Sequence, residues 1–113
     1  MVTPSAGSVI LVPFPFPDLS HSKLRPAVVL ADVGRGDCIL CQITSKSYSD
    51  PHAIELTDGS FAKGSLHVVS YARQGKLFTA NRSLIVRQVG VLKKGVLEAI
   101  VNAIAEMLRE GLK

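Results

Sequence analysis

The sequence predicts a small, mainly β protein: an antiparallel barrel whose edge or end is covered by one C-terminal amphipathic helix. Three observations lead there. The chain has 113 residues, enough for one core and little more, so residues 1 to 113 are read as a single domain. Its apolar residues fall in short, strand-sized runs separated by Gly, Pro and Asp. After Lys93-Lys94-Gly95 the pattern changes, and Leu97, Ile100, Val101, Ile104, Met107 and Leu108 recur at the three- and four-residue intervals of a single helix face.

The runs justify each element in turn. Ser8 to Val12 is a first strand, and the segment Pro13-Phe14-Pro15-Phe16-Pro17-Asp18 lacks the donors for a full ladder, so residues 13 to 24 are expected to form a loop. Pro26 to Ala31 is a second strand and residues 38 to 44 a third, joined as a hairpin through Gly34-Arg35-Gly36-Asp37. Ala53 to Leu56 offers a short fourth. Asp58-Gly59 and Lys63-Gly64 bracket an expected turn before Leu66 to Tyr71, Gly75 separates that run from Leu77 to Thr79, and Ile85 to Leu92 is the last β-like stretch. The helix start is poorly signalled, because Lys93 and Lys94 oppose the helix dipole and no Ser, Thr, Asp or Asn occupies the cap.

Composition narrows the class. Hydrophobic residues make up 47% and charged residues 19%, too apolar for a disordered chain. No apolar run nears the roughly 18 to 20 residues that span a bilayer, and no leader pattern opens the chain, so no membrane partner and a cytoplasmic location are expected. Thirteen Lys and Arg against nine Asp and Glu leave a net charge of +4, which suits an anionic partner such as nucleic acid or an acidic peptide. Cys38 and Cys41 have C-x-x-C spacing, yet on a strand they face opposite sides and no second pair completes a zinc site. They are read as buried, reduced core residues.

Two places could carry chemistry. Pro26 biases Arg25 toward an extended backbone and so sets a guanidinium at the mouth of a strand, where its planar fork could hold a phosphate; the bland alternative is a surface ion pair. The third strand ends in Ile43-Thr44-Ser45-Lys46-Ser47, hydroxyls and an amine that could face phosphate oxygens or simply form a solvated turn. Arg25 and Thr44 would share a site only if the two strands pair in a suitable register. His21, in the expected loop, could titrate near neutrality or merely be solvated; His52 and His67 are not favoured for a role. Phe14 and Phe16 could stack on bases or belong to the core.

Taken in order, Gly7-Ser8-Val9-Ile10-Leu11-Val12-Pro13-Phe14-Pro15-Phe16, Leu24-Arg25-Pro26-Ala27-Val28-Val29-Leu30, Gln42-Ile43-Thr44-Ser45-Lys46 and Ser70-Tyr71-Ala72-Arg73-Gln74-Gly75-Lys76-Leu77-Phe78-Thr79 resemble the successive motifs of the MazF/PemK-like toxins. The order is more specific than any single motif. The resemblance implies an SH3-like barrel of the MazF/CcdB type. It also implies a homodimer acting as the toxin of a type II toxin–antitoxin pair that cleaves single-stranded RNA at short sequences without metal or other cofactor. It carries catalytic roles to Arg25 and Thr44, with Ser45 adjacent, and RNA contact to Arg73; Lys23, Lys46 and His21 are further RNA-binding candidates.

The implied chemistry is attack by the ribose 2′-OH on the neighbouring phosphate, giving a 2′,3′-cyclic phosphate and a 5′-OH, which restricts cutting to RNA. A guanidinium is a poor general acid, so Arg25 and Thr44 are assigned to transition-state binding and the proton transfers are left open. Where longer members often carry Gly-x-Glu before Arg-Pro, this chain has Asp18-Leu19-Ser20-His21-Ser22-Lys23. A cognate antitoxin with a flexible acidic segment is also implied. Two other classes remain open: a non-nucleolytic DNA gyrase poison on the same fold, and a barrel that only binds nucleic acid or protein.

Overall fold

The computed structural model describes residues 4–15, 22–46 and 52–113. Among them, seven strands form one antiparallel sheet, curled into a half-barrel: β1 (Ser8–Pro15), β2 (Ser22–Gly34), β3 (Asp37–Thr44), β4 (Ile54–Leu56), β5 (Phe61–Gly64), β6 (Ser70–Asn81) and β7 (Arg87–Leu92). Their order across the sheet is β4-β6-β3-β2-β1-β7-β5, and one helix, α1 (Lys94–Glu110), follows. The β2–β3 hairpin turns through Arg35 and Gly36 at φ 58° and 80°, left-handed values that a tight hairpin requires. Asn81 of β6 clasps it, its amide donating to Arg35 O at 3.2 Å and Asp37 Oδ1 at 3.0 Å.

The proline-rich segment departs from expectation. Residues 13 to 15 continue β1 and residues 22 to 24 open β2, with Pro13 opposite Leu24 and Pro15 opposite Ser22. The reason lies in the phase of the prolines. Leu11 O accepts from Val86 N, so the polar groups of Leu11, and by the two-residue period those of Pro13 and Pro15, face the β7 side. Pairing with β7 ends at Leu11, and the missing donors therefore cost no ladder bond. The rest of the expected loop, His21 included, lies outside the described residues.

Further boundaries move. Phe61–Gly64 is a strand where a turn was expected, and β6 starts only at Ser70, leaving 66–69 of the expected Leu66 to Tyr71 strand outside it, then runs unbroken through Gly75, where two runs were expected. Gly75 instead marks a bulge: Cys41 pairs with Leu77 and Ile43 with Ala72, so residues 73–76 are spanned by the single residue Gln42. The last strand starts at Arg87 because Arg82–Leu84 forms a 3₁₀ turn, capped by Asn81, whose side chain accepts from Ser83 N. Packing explains β5. Phe61 is buried, and a Cβ on Gly64 (φ 67°) would lie 2.2 Å from Val89 O. Only glycine lets this edge strand close onto β7.

The core occupies both faces of the sheet. On one face Val9, Val28, Cys41, Ile43 and Ala72 pack beneath Ile100 and Ile104 of α1. On the other, Ile10, Val12, Ala27, Val29, Cys38 and Leu40 form a second cluster with Phe78 and Ile85 at its margin. The two free cysteines thus sit buried on opposite faces, as strand alternation requires. The helix starts at Lys93 with no side-chain cap, as its sequence anticipates. Its apolar stripe is broader than its buried one: Val101 and Leu108 turn outward, 43% and 61% exposed. No helix among the described residues is long and apolar enough to cross a membrane.

Candidate functional site

Alternation and register assemble the site. Arg25 does not stand at a strand mouth; it lies within β2, opposite Val12 of β1, because β2 begins at Ser22. The β2–β3 ladder ends at Ala27 opposite Gln42, two residues after Arg25 on β2 and two before Thr44, the last residue of β3. The sequence left that register open. Arg25 is in phase with Ala27 and Val29, so it shares the face of the second core cluster, away from α1.

The same face continues across the sheet. Thr44 pairs with Tyr71 of β6, and Tyr71 pairs on its other side with Glu55 of β4. One row thus runs Glu55, Tyr71, Thr44, and Arg25 with Val12 lies on the same face just beyond the last β2–β3 pair. Ala72 belongs to the helix-side core, which leaves Arg73 on the face of Tyr71. Arg73 is half-buried with its Nε inside, and its carbonyl accepts from the Cys41 thiol at 3.2 Å. Lys23, two residues before Arg25, is exposed on the same face. Thr44 Oγ1 accepts from Lys46 N at 3.2 Å, and Ser45 and Lys46 are exposed at the strand end.

Of the residues expected from sequence, Arg25, Thr44, Lys23 and Arg73 come to one face, while Ser45 and Lys46 flank its edge. His21 cannot be placed because it lies outside the described residues. Three polar residues on that face were not anticipated: Gln42, half-buried between Leu40 and Thr44 in phase, Tyr71 and Glu55. The signal for Gln42 was present, since it interrupts an apolar run two positions before Thr44. The face also extends to a cleft of about 450 Å³ where Ile10 meets Gln88 of β7, lined by Arg82 and Arg87. Cations thus flank the row on both sides.

Residues 5–108 match the family described as PemK-like, MazF-like toxin of type II toxin–antitoxin system. The chain belongs to this family. No curated protein matches the sequence. Solved structures similar to this PemK/MazF-like toxin include MazF in a MazE–MazF crystal from Deinococcus radiodurans, at 20% identity and TM-score 0.75 over 95% of this chain and 97% of that one. A second is an endoribonuclease in complex with its cognate antitoxin from a mycobacterial species, at 15% identity and TM-score 0.71 over 96% and 95%. The Mycobacterium tuberculosis toxin MazF-mt6 is a third, at 17% identity and TM-score 0.65 over 88% and 96%. At these identities the likeness bears on the fold, and the PemK/MazF-like toxin shares it.

Proposed function

We propose that this toxin is an endoribonuclease that cuts single-stranded RNA by internal transfer. The ribose 2′ oxygen forms a bond to the adjacent phosphorus as its proton is removed. The P–O5′ bond breaks, and the leaving oxygen takes up a proton, giving a 2′,3′-cyclic phosphate and a 5′-OH. No outside nucleophile is consumed, and we propose that no metal is required. The Arg25 fork binds the two phosphate oxygens on which charge grows. The Thr44 hydroxyl, whose oxygen accepts from Lys46 N, gives the same group a hydrogen bond and keeps its proton. Ser45 stands next to it. Lys23, Lys46, Arg73 and His21 hold the RNA backbone as it passes the row.

The observation that carries this reading is that Arg25 and Thr44 share the face away from α1, each two residues from the Ala27–Gln42 pair. The net charge of +4 supports an anionic ligand. We further propose that the toxin works in the cytoplasm as a homodimer and that a cognate antitoxin lays a flexible acidic segment over the cationic face. The Deinococcus and mycobacterial assemblies, in which a toxin of this fold is bound by its antitoxin, support that partner.

The test is cleavage of a mixed-sequence RNA by purified protein in EDTA, with product ends identified by mass spectrometry. Cuts ending in cyclic phosphate, abolished by Arg25→Ala, are expected. Absence of cleavage by folded wild type across diverse RNAs would transfer the assignment to gyrase poisoning or simple binding.

A further inference from the structure

We propose that Tyr71 and Glu55 form the pocket for one base of the RNA, immediately beside the phosphate held by Arg25 and Thr44, and that this pocket selects a base bearing an exocyclic amino group. The inference rests on the nuclease reading and specifies its substrate.

Placement comes first. Tyr71 is the cross-strand partner of Thr44, and Glu55 is the partner of Tyr71 on the far side, so both extend the row away from Arg25 on the same face. With paired strands about 4.8 Å apart, Tyr71 lies one strand from Thr44. A nucleotide whose phosphate meets Arg25 and Thr44 and whose chain runs toward β4 brings its neighbouring base over Tyr71.

Chemistry follows from the side chains at those positions. Tyr71 is half-buried, and an aromatic ring that keeps some accessible surface can serve as a stacking platform. Glu55 is exposed at the edge of that platform. Its carboxylate can only accept hydrogen bonds. Beside Arg25, Lys23, Arg73 and Lys46, the Glu55 carboxylate repels phosphate and is matched by a base that presents amino hydrogens to it. Cytosine and adenine offer an exocyclic amino group beside the ring, and guanine offers one with its ring N–H. Uracil has carbonyl oxygens on both sides of its single N–H, and these face the carboxylate unfavourably.

Two measurements test this. The first sequences the product ends from mixed-sequence RNA. Wild type is expected to disfavour uridine at one position next to the cut, Glu55→Gln to lose that bias because an amide both donates and accepts, and Tyr71→Phe to behave as wild type. Tyr71→Ala should raise KM by about 5- to 150-fold, the loss of one stacked base. The second uses fluorescence. The chain has no Trp and two Tyr, so Tyr48→Phe leaves Tyr71 as the sole emitter, to be titrated with an RNA oligomer carrying a 2′-deoxy sugar at the cut site. Quenching that weakens with Glu55→Gln is expected. Cleavage with an unaltered sequence bias and KM in both Glu55→Gln and Tyr71→Ala would overturn the pocket and leave the nuclease reading standing. Quenching without any cleavage would overturn the nuclease reading and keep the pocket. Neither quenching nor cleavage would overturn both.

Discussion

Thr44 Oγ1 accepts a 3.2 Å hydrogen bond from the backbone N–H of Lys46. This contact occupies one oxygen lone pair and leaves the hydroxyl proton available to a ligand on the face shared with Arg25. Thr44→Ser keeps both features and should retain cleavage within about threefold, whereas Thr44→Val removes one transition-state donor and should lower kcat about 100-fold. Single-turnover kinetics on a short RNA would separate them; loss in Thr44→Ser with activity kept in Thr44→Val would overturn the hydroxyl role and point to the methyl group and its packing.

Arg25 is expected to act through the shape of its fork as well as its charge. Arg25→Lys conserves the charge and loses the bidentate geometry. It should recover no more than about a tenth of the activity lost in Arg25→Ala, a difference of ~1.4 kcal/mol or more left in the barrier. The kcat/KM of Arg25→Lys relative to wild type reads this directly.

The β5–β7 edge offers a test of the fold. Gly64→Ala would place a Cβ 2.2 Å from Val89 O at a φ of 67°, against backbone that cannot swing aside. Overpacking and left-handed strain together should cost about 2 to 4 kcal/mol, a fall in Tm of roughly 8 °C or more. Gly34, at φ 93° with nothing within 4 Å of its added Cβ, carries only the conformational penalty. Gly34→Ala should therefore fall by less than half as much in the same thermal melt.

Burial first, and then the Asp32 and Asp37 carboxylates, push the Cys38 thiol above its ordinary pKa of 9.0, while Arg82 pulls the other way. Above pH 9.0 the unfolded chain has surrendered a proton that the folded chain keeps. Stability from this group is thus complete below that pH and declines as pH rises through the folded value. Cys38→Ala removes the dependence and leaves a cavity. The Tm advantage of wild type over Cys38→Ala should be constant from about pH 7 to 8.5 and shrink toward pH 10. The raised pKa also makes Cys38 slow to alkylate in the native state.

The elements read most directly from sequence were those whose signal is local. The Gly34 to Asp37 hairpin, the opposed cysteines and α1 each follow from a turn requirement or a period within a few residues. Where the reading failed, a distant partner decided. Pro13 and Pro15 remain in β1 because β7 has already ended beside them, and β6 passes through Gly75 because Gln42 alone spans the bulge. Neither relation has a signature in the neighbouring residues.

The family motifs named Arg25, Thr44 and Arg73 from sequence alone, since each lies in a recognisable run of side chains. Their spatial relation was decided by tertiary structure. Register between strands is a long-range choice, set by which faces bury Val28 against Cys41 and Val29 against Leu40. Once that burial is chosen, Arg25 and Thr44 fall on one face and the Thr44 row extends to Tyr71 and Glu55, two residues to which no motif assigned a role. A one-residue slip would have sent the same side chains beneath the helix.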